Sequence, residues 1–127
     1  MNKTVLIIED EKILQDVYKL ILTTKGYKVY TANNGLEGIA SMERFNPDVV
    51  LLDIYMPLMS GREMLRKINL GRFPRTKVIV YSNLSDPETE EEVLQNGAEK
   101  FVLKSSMTPQ DLTDLIEAMT HDYVGVG

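Results

Sequence analysis

The sequence contains no cysteine and only one histidine, His121, close to its C-terminus. The absence of thiols excludes a disulfide scaffold, a thiol nucleophile and a cysteine-based zinc site. A single histidine likewise excludes a metal site built from several imidazoles. No apolar run approaches the roughly 20 residues that a bilayer-spanning helix needs, and the first residues lack a signal-peptide pattern. We therefore expect a cytoplasmic protein that does not enter a membrane.

Composition and charge indicate one ordinary folded domain. The chain has 127 residues, of which 43% are apolar and 26% are charged, and domains of roughly 100–150 residues are the commonest. Lys and Arg number 14 against 19 Asp and Glu, which gives a net charge of −5. This acidic balance argues against direct binding to nucleic acid or to an anionic membrane surface.

Short apolar runs alternate along the chain with amphipathic segments. Runs rich in β-branched residues at 5–8, 49–52 and 78–81 are typical of strands in a parallel sheet with both faces covered. Residues 27–31 alternate in polarity and predict an edge strand, and residues 100–103 predict a short fifth strand. The order of strand and then helix, repeated five times, favours an open parallel sheet with right-handed crossovers.

The predicted helices have recognisable ends and apolar faces. Gly26 lies where the C-terminal cap of the first helix belongs. N-terminal caps are predicted at the boxes Ser60/Glu63 and Thr108/Asp111 and at Asp86 before Pro87. In the first helix, four apolar residues at helical spacing predict the face that packs on the sheet: Ile13, Val17, Leu20 and Ile21.

Five strand–helix units fit an α/β fold of the flavodoxin-like type. This is a doubly wound five-stranded parallel sheet in the order 2-1-3-4-5, with helices on both faces. An eight-fold barrel would need about twice the chain. We assign residues 1–122 to this domain and residues 123–127 to a short C-terminal tail, and expect no output domain within them. In such folds ligands bind outside the C-terminal ends of the strands, near the reversal in strand order.

Chemically active side chains follow four of the five predicted strands: Glu9 and Asp10, Asp53, Ser82, and Lys104. The first and third strands are neighbours in the predicted order, so the three carboxylates converge and repel one another unless a cation neutralises them. Mg²⁺ prefers one or two carboxylates with waters and a phosphate oxygen, so the sequence predicts Mg²⁺ here, with Mn²⁺ as a possible substitute. Taken singly, each residue is also explained as a cap, a loop residue or a surface charge.

Such a site suits the transfer of a phosphoryl group to a carboxylate. A carboxylate facing a bound cation can attack phosphorus and form an aspartyl phosphate. The equatorial oxygens of the transferred group then need stabilisation. We expect Mg²⁺, the Lys104 ammonium and the Ser82 hydroxyl to take one oxygen each.

One segment and several separate residues occur together at the spacings of a single family. The segment is LDIYMPLMSG at residues 52–61, and the others are Glu9-Asp10, Ser82, Gly97-Ala98 and Lys104. With these, the chain resembles the receiver domain of a bacterial two-component response regulator, of the single-domain, chemotaxis-regulator-like kind. The resemblance implies that Asp53 accepts a phosphoryl group from a sensor histidine kinase or a His-phosphotransfer protein. It also implies Mg²⁺ held by Glu9, Asp10, Asp53 and the backbone carbonyl of Tyr55.

The resemblance further implies a conformational switch. On phosphorylation the Ser82 hydroxyl moves toward the phosphoryl group and the Phe101 ring turns inward, which remodels the face formed by the fourth helix, fifth strand and fifth helix for a downstream protein. From the residues alone, an aromatic such as Phe101 in a short strand is more simply a core residue. The implied protein is a monomer or weak homodimer, and is not an enzyme beyond catalysing its own phosphorylation and dephosphorylation.

Three positions depart from the usual pattern of the family. Glu9 replaces the commoner Asp, is one methylene longer, and could reach a metal through water. Ser82 replaces the frequent Thr but keeps the hydroxyl. Ser105 replaces the Pro that often follows the lysine through a cis bond, so the Lys104–Ser105 bond is either strained or trans.

An acidic run predicts a solvated helix face, or a docking surface for a basic partner: Glu88, Glu90, Glu91 and Glu92.

Three other functions compete with the phosphorylation-dependent switch. A pseudo-receiver, an interaction module independent of phosphorylation, would be favoured by loss of the acceptor or the lysine, yet Asp53 and Lys104 are both present. A Mg²⁺-dependent phosphatase would need a cap and a general acid where Tyr55 stands. A flavodoxin would need a Ser/Thr/Gly-rich phosphate loop where Glu9 and Asp10 stand. We therefore expect the switch, with the pseudo-receiver as its alternative.

Overall fold

Strands and helices alternate along residues 3–84 and 86–121, which the computed structural model describes. The strands are β1 (Thr4–Ile8), β2 (Lys28–Ala32), β3 (Val49–Asp53), β4 (Lys77–Ser82) and β5 (Lys100–Leu103). The helices are α1 (Lys12–Thr24), α2 (Gly35–Phe45), α3 (Gly61–Lys67), α4 (Pro87–Gln95) and α5 (Pro109–Thr120). Two 3₁₀ turns cover Leu70–Arg72 and Lys104–Ser106. The tail assigned to residues 123–127 lies outside the described residues.

All five strands pair in parallel in the order β2-β1-β3-β4-β5. The predicted α/β fold with its strand order is confirmed, and β2 is the edge strand expected near residues 27–31. The reversal in order lies between β1 and β3, whose carboxyl ends are therefore adjacent. At the same edge of the sheet, Asp53 is opposite Tyr81 and Ser82 is opposite Leu103.

Helices cover both faces of the sheet, so every side chain of the central strand β3 is buried. On one face, Tyr18 and Leu22 of α1 and Leu112 and Ile116 of α5 pack against inward-facing residues of β1, β3 and β4. On the other face, α2, α3 and α4 contribute a second apolar cluster. None of the helices within the described ranges is long and apolar enough to cross a bilayer.

The predicted packing face of α1 is wrong. Ile13 and Leu20 are 78% and 69% exposed, whereas the buried residues of the helix are Gln15, Tyr18 and Leu22. The Gln15 amide donates to the Glu9 carbonyl oxygen at 2.8 Å and to Asn33 Oδ1 at 3.1 Å, so its polar end is satisfied inside the protein. Ile13 and Leu20 therefore lie on the solvent side of the helix, while Val17 and Ile21 are partly buried.

The predicted caps of the other helices are observed. Ser60 and Thr108 each form a capping box, with Glu63 and Asp111 respectively, and the Asp86 side chain caps α4 ahead of Pro87. Gly26 has φ of 99° directly after the α1 cap residue, a conformation that glycine adopts without strain.

The loop between β3 and α3 is held tightly against the end of β3. Gly61 donates its backbone N–H to the Ile54 carbonyl oxygen at 2.8 Å, and a Cβ atom at Gly61 would collide with the Asp53 carbonyl oxygen. A backbone oxygen cannot rotate away as a side chain can. Only glycine therefore fits where this loop passes the strand that carries Asp53.

Gly61→Ala is expected to lower the free energy of unfolding by about 2 kcal/mol, because the new methyl group must displace backbone. Gly71→Ala is the matched control, since its methyl group would meet only the exposed Asn69 side chain, and its effect is expected to stay within about 0.5 kcal/mol. Urea unfolding followed by circular dichroism measures both. Equal stability of the two variants would contradict this account of the loop.

Candidate functional site

Three carboxylates meet where the ends of β1 and β3 lie side by side. Glu9 and Asp10 follow β1 and Asp53 ends β3, and one oxygen from each lies within 4.8 Å of the others. Glu9 is fully buried and Asp53 is 4% exposed, while Asp10 is exposed. The convergence expected from the strand order is thus present, and the cluster opens to solvent on the Asp10 side.

Lys104 brings the positive charge closest to this cluster. Its Nζ atom lies 3.0 Å from Glu9 Oε1 and 3.4 Å from Asp53 Oδ1, so one ammonium contacts two carboxylates. No peptide bond among the described residues is cis, so the Lys104–Ser105 bond is trans and the side chain still reaches Asp53. With three carboxylates and one ammonium, the cluster keeps an excess of negative charge.

The two buried carboxylates differ in the number of donors that contact them. Glu9 accepts hydrogen bonds from the Tyr81 hydroxyl, from Lys104 and, at 2.9 Å, from the Glu11 backbone N–H. Burial alone would raise the pKa of Glu9, but these donors outweigh burial and hold its pKa below the ordinary value. Burial, together with the negative charge of Glu9, raises the pKa of Asp53 to about 7, against the opposing effect of Lys104. In the absence of a metal, Asp53 therefore takes up a proton before Glu9 as the pH falls.

Ser82 and Phe101 have described partners other than the three carboxylates. The Ser82 hydroxyl is fully buried and accepts a hydrogen bond from the Leu84 backbone N–H at 3.2 Å, and within residues 3–84 and 86–121 it makes none to Asp53. Phe101 is partly buried against the core beneath α2, α3 and α4. Tyr55 follows β3 and is 53% exposed. The implied roles of these three residues stay predictions.

Tyr81 is the site residue that the sequence patterns missed. Its hydroxyl donates to Glu9, and its ring centroid lies 4.6 Å from Lys104 Nζ. The apolar run 78–81 predicts Tyr81 as the last buried position of a strand, which is correct for its ring. The available signal was a phenol next to Ser82 at a strand end, where a buried hydroxyl requires a partner.

The acidic run on α4 is not simply a solvated face. Glu92 accepts hydrogen bonds from Arg62 at 2.6 Å and from Arg66 at 2.5 Å, which connects α4 to α3. The two guanidinium groups, Arg66 foremost, hold the pKa of Glu92 below its ordinary value. The expectation of a solvated face fails for Glu92, whereas Glu88 and Glu91 are exposed.

The donor set fits a hard divalent cation. Three carboxylates offer oxygen ligands within 4.8 Å of one another, and the described cluster contains no nitrogen or sulfur ligand that would favour a softer metal. Asp10 and Asp53 have the fewest competing hydrogen bonds and are the better candidates for direct contact. The arrangement therefore suits Mg²⁺ with a small number of carboxylates and several waters.

Comparison with known proteins gives matches over nearly the whole chain. The family model described as the response regulator receiver domain matches residues 5–117. A probable C4-dicarboxylate response regulator, DctR, of Bacillus subtilis is 43% identical over 102 residues, covering 79% of this chain and 45% of that protein. The chemotaxis protein CheY of Thermotoga maritima is 34% identical over 105 residues, covering 82% of this chain and 87% of that protein. The chain thus spans about half the length of DctR.

Solved structures of related proteins share the fold of this chain. A CheY-like response regulator receiver domain protein from Methanospirillum hungatei has a TM-score of 0.85 at 31% identity and covers 93% of each chain. The CheX-CheY-BeF3-Mg²⁺ complex from Borrelia burgdorferi has a TM-score of 0.82 at 26% identity and covers 94% of this chain and 90% of that one.

Mg²⁺ affinity is expected to depend on pH through Asp53. Below its pKa of about 7, Asp53 carries a proton that the cation must displace, so affinity should fall about tenfold for each further pH unit and level off above neutrality. Calorimetric titration with MgCl₂ across this range measures the effect. Asp53→Asn removes the titrating group, so its weaker affinity should vary little with pH. A wild-type affinity that stays constant between about pH 5.5 and about pH 8 would contradict the proton assignment.

Proposed function

The chain belongs to the response regulator receiver domain family of two-component systems, and from that premise we propose that it is a phosphorylation-dependent switch whose phosphoacceptor is Asp53. Phosphorylation-dependent switching is the general role of the family. The observation that carries the assignment is the contact of Lys104 with both Asp53 and Glu9 beside Asp10. It joins a nucleophile, a fixed cation and metal-binding oxygens in one cluster.

Asp53 is suited to the nucleophilic role because it has fewer hydrogen-bonding and ion-pair partners than the other buried carboxylate, Glu9. Lys104 is its ion-pair partner, whereas Glu9 has three donors. Loss of the Asp53 proton frees an oxygen to attack phosphorus. The new bond from that oxygen to phosphorus forms as the bond from phosphorus to the donor's imidazole nitrogen breaks, and the imidazole takes up a proton.

The surrounding residues neutralise charge on the phosphoryl group and hold it in position. Lys104 moves its ammonium from the Asp53 carboxylate to an oxygen of the phosphoryl group, and Ser82 supplies a hydroxyl to another once it leaves Leu84. Mg²⁺, when bound, would neutralise the charge that develops on the phosphoryl oxygens. Asp10, Asp53 and the backbone carbonyl of Tyr55 are the groups proposed to hold it directly, and Glu9 through water, with Mn²⁺ as a substitute. The related complex from Borrelia burgdorferi contains Mg²⁺ and BeF3, which supports this proposal.

The proposed partners follow from the same role. A sensor histidine kinase or a His-phosphotransfer protein supplies the phosphoryl group, and a downstream protein binds the face of α4, β5 and α5. Phe101 lies in β5 within that face and packs partly against the core beneath α2, α3 and α4. The Glu92 ion pairs with Arg62 and Arg66 fix one side of α4. We propose no enzymatic activity beyond the protein's own phosphorylation and dephosphorylation.

Acetyl phosphate with Mg²⁺ is expected to add one phosphoryl group to wild-type protein, at Asp53. Intact-mass spectrometry detects the addition, and borohydride reduction followed by peptide mapping locates it. Asp53→Asn should abolish the addition. Asp16→Asn, which alters an exposed carboxylate paired with Lys12 on α1, should leave it unchanged.

A chain that binds no Mg²⁺ and stays unmodified at Asp53 would reject the switch. That outcome would favour the pseudo-receiver, whose partner binding is independent of phosphorylation. Modification at a different carboxylate would reject Asp53 as the acceptor.

A further inference from the structure

Tyr81 contacts Glu9 and Lys104, two of the charged groups around Asp53. Its side chain is fully buried, its hydroxyl donates to Glu9 Oε1, and its ring lies under Lys104 Nζ with 4.6 Å to the ring centroid. The ring also meets Tyr18 edge-on, with the centroids 5.8 Å apart. Packing on one side and the sheet on the other therefore fix the position of the phenol. Because the phenol is fixed, its hydroxyl holds the Glu9 carboxylate in place.

The residue that it binds is Glu9, whose two carboxylate oxygens are both engaged. Oε1 accepts from Tyr81 and from Lys104, and Oε2 accepts from the Glu11 backbone N–H at 2.9 Å. A carboxylate offers about four acceptor positions, so most of the capacity of Glu9 is used by the protein itself. The side chain is fully buried and has little freedom to turn. Glu9 thus adds negative charge to the cluster while its oxygens face protein donors.

We propose that Tyr81 is a positioning residue that makes the cation site selective for Mg²⁺ over Ca²⁺ by withholding Glu9 from direct coordination. The inference rests on the proposed Mg²⁺ site. Mg²⁺ is satisfied by one or two carboxylates and retained waters, whereas Ca²⁺ takes six to eight oxygens, often from bidentate carboxylates. With Glu9 held by Tyr81, Asp10 and Asp53 remain as freely available carboxylates, a number that suits Mg²⁺.

Tyr81→Phe tests this role because it removes the hydroxyl and keeps the ring beneath Lys104. One acceptor position of Glu9 Oε1 is then released and becomes available to a larger cation, so the ratio of the Ca²⁺ dissociation constant to the Mg²⁺ dissociation constant is expected to fall about tenfold. Calorimetric titrations with CaCl₂ and with MgCl₂ give this ratio. They are run at about pH 8.5, above the pKa of Asp53, so that its proton does not contribute.

Tyr18→Phe is the matched control. Tyr18 is buried beside Tyr81 and its hydroxyl makes no hydrogen bond to Glu9 within the described residues. Removal of its hydroxyl should leave the ratio within about twofold of wild type. A general loosening of the core would instead change both tyrosine variants alike, and that result would overturn the proposal.

Glu9→Gln provides a second test that does not depend on the tyrosine variants folding. It should weaken the binding of both cations and leave their ratio near the wild-type value, since Glu9 contributes charge and no direct bond. Tyr81→Phe added to Glu9→Gln should then change the ratio no further. A shifted ratio in Glu9→Gln, or an unshifted ratio in Tyr81→Phe while wild type binds Mg²⁺, overturns this inference. Failure of wild type to bind Mg²⁺ refutes the proposed metal site itself.

Discussion

Two buried carboxylates that share one ammonium are the constraint on which the site depends. Lys104 lies between Glu9 and Asp53, and both acids are buried. Burial of like charges is costly unless protons, cations or hydrogen-bond donors compensate it. The fold creates this cost by placing the ends of β1 and β3 side by side, and partly offsets it by directing the residue after β5 back across β4.

The compensation is distributed unequally, and that inequality gives the two acids different roles. Glu9 receives a phenol, an ammonium and a backbone amide, which favour its charged form. Asp53 has Lys104 alone against burial and the charge of Glu9, so its pKa rises to about 7. A carboxyl group with a pKa near neutrality readily gives up its proton when a cation binds beside it. The same environment that makes Asp53 hard to ionise makes it suited to the proposed phosphoryl acceptance.

The fold could be predicted from the sequence because the signals for its strands and helices are local and recur along the chain. Apolar runs and helix caps are read residue by residue, and the parallel order follows from their alternation. The packing face of α1 could not be predicted, because polar Gln15 is buried with its amide hydrogen-bonded to the Glu9 carbonyl oxygen while Ile13 is left exposed. The clustering of the carboxylates followed from the strand order. The Tyr81 hydrogen bond did not, since it depends on where a side chain points across 72 residues of sequence.

Carboxyl-carbon NMR titration of metal-free protein tests the central claim most directly. With the side-chain carboxyl carbons of Asp and Glu labelled and assigned, the Asp53 signal should move with a midpoint near its pKa of about 7. The Glu9 signal should show no protonation step until well below the ordinary range of a glutamate, because its donors hold it ionised. A Glu9 signal that titrates near neutrality while Asp53 stays ionised would contradict the account.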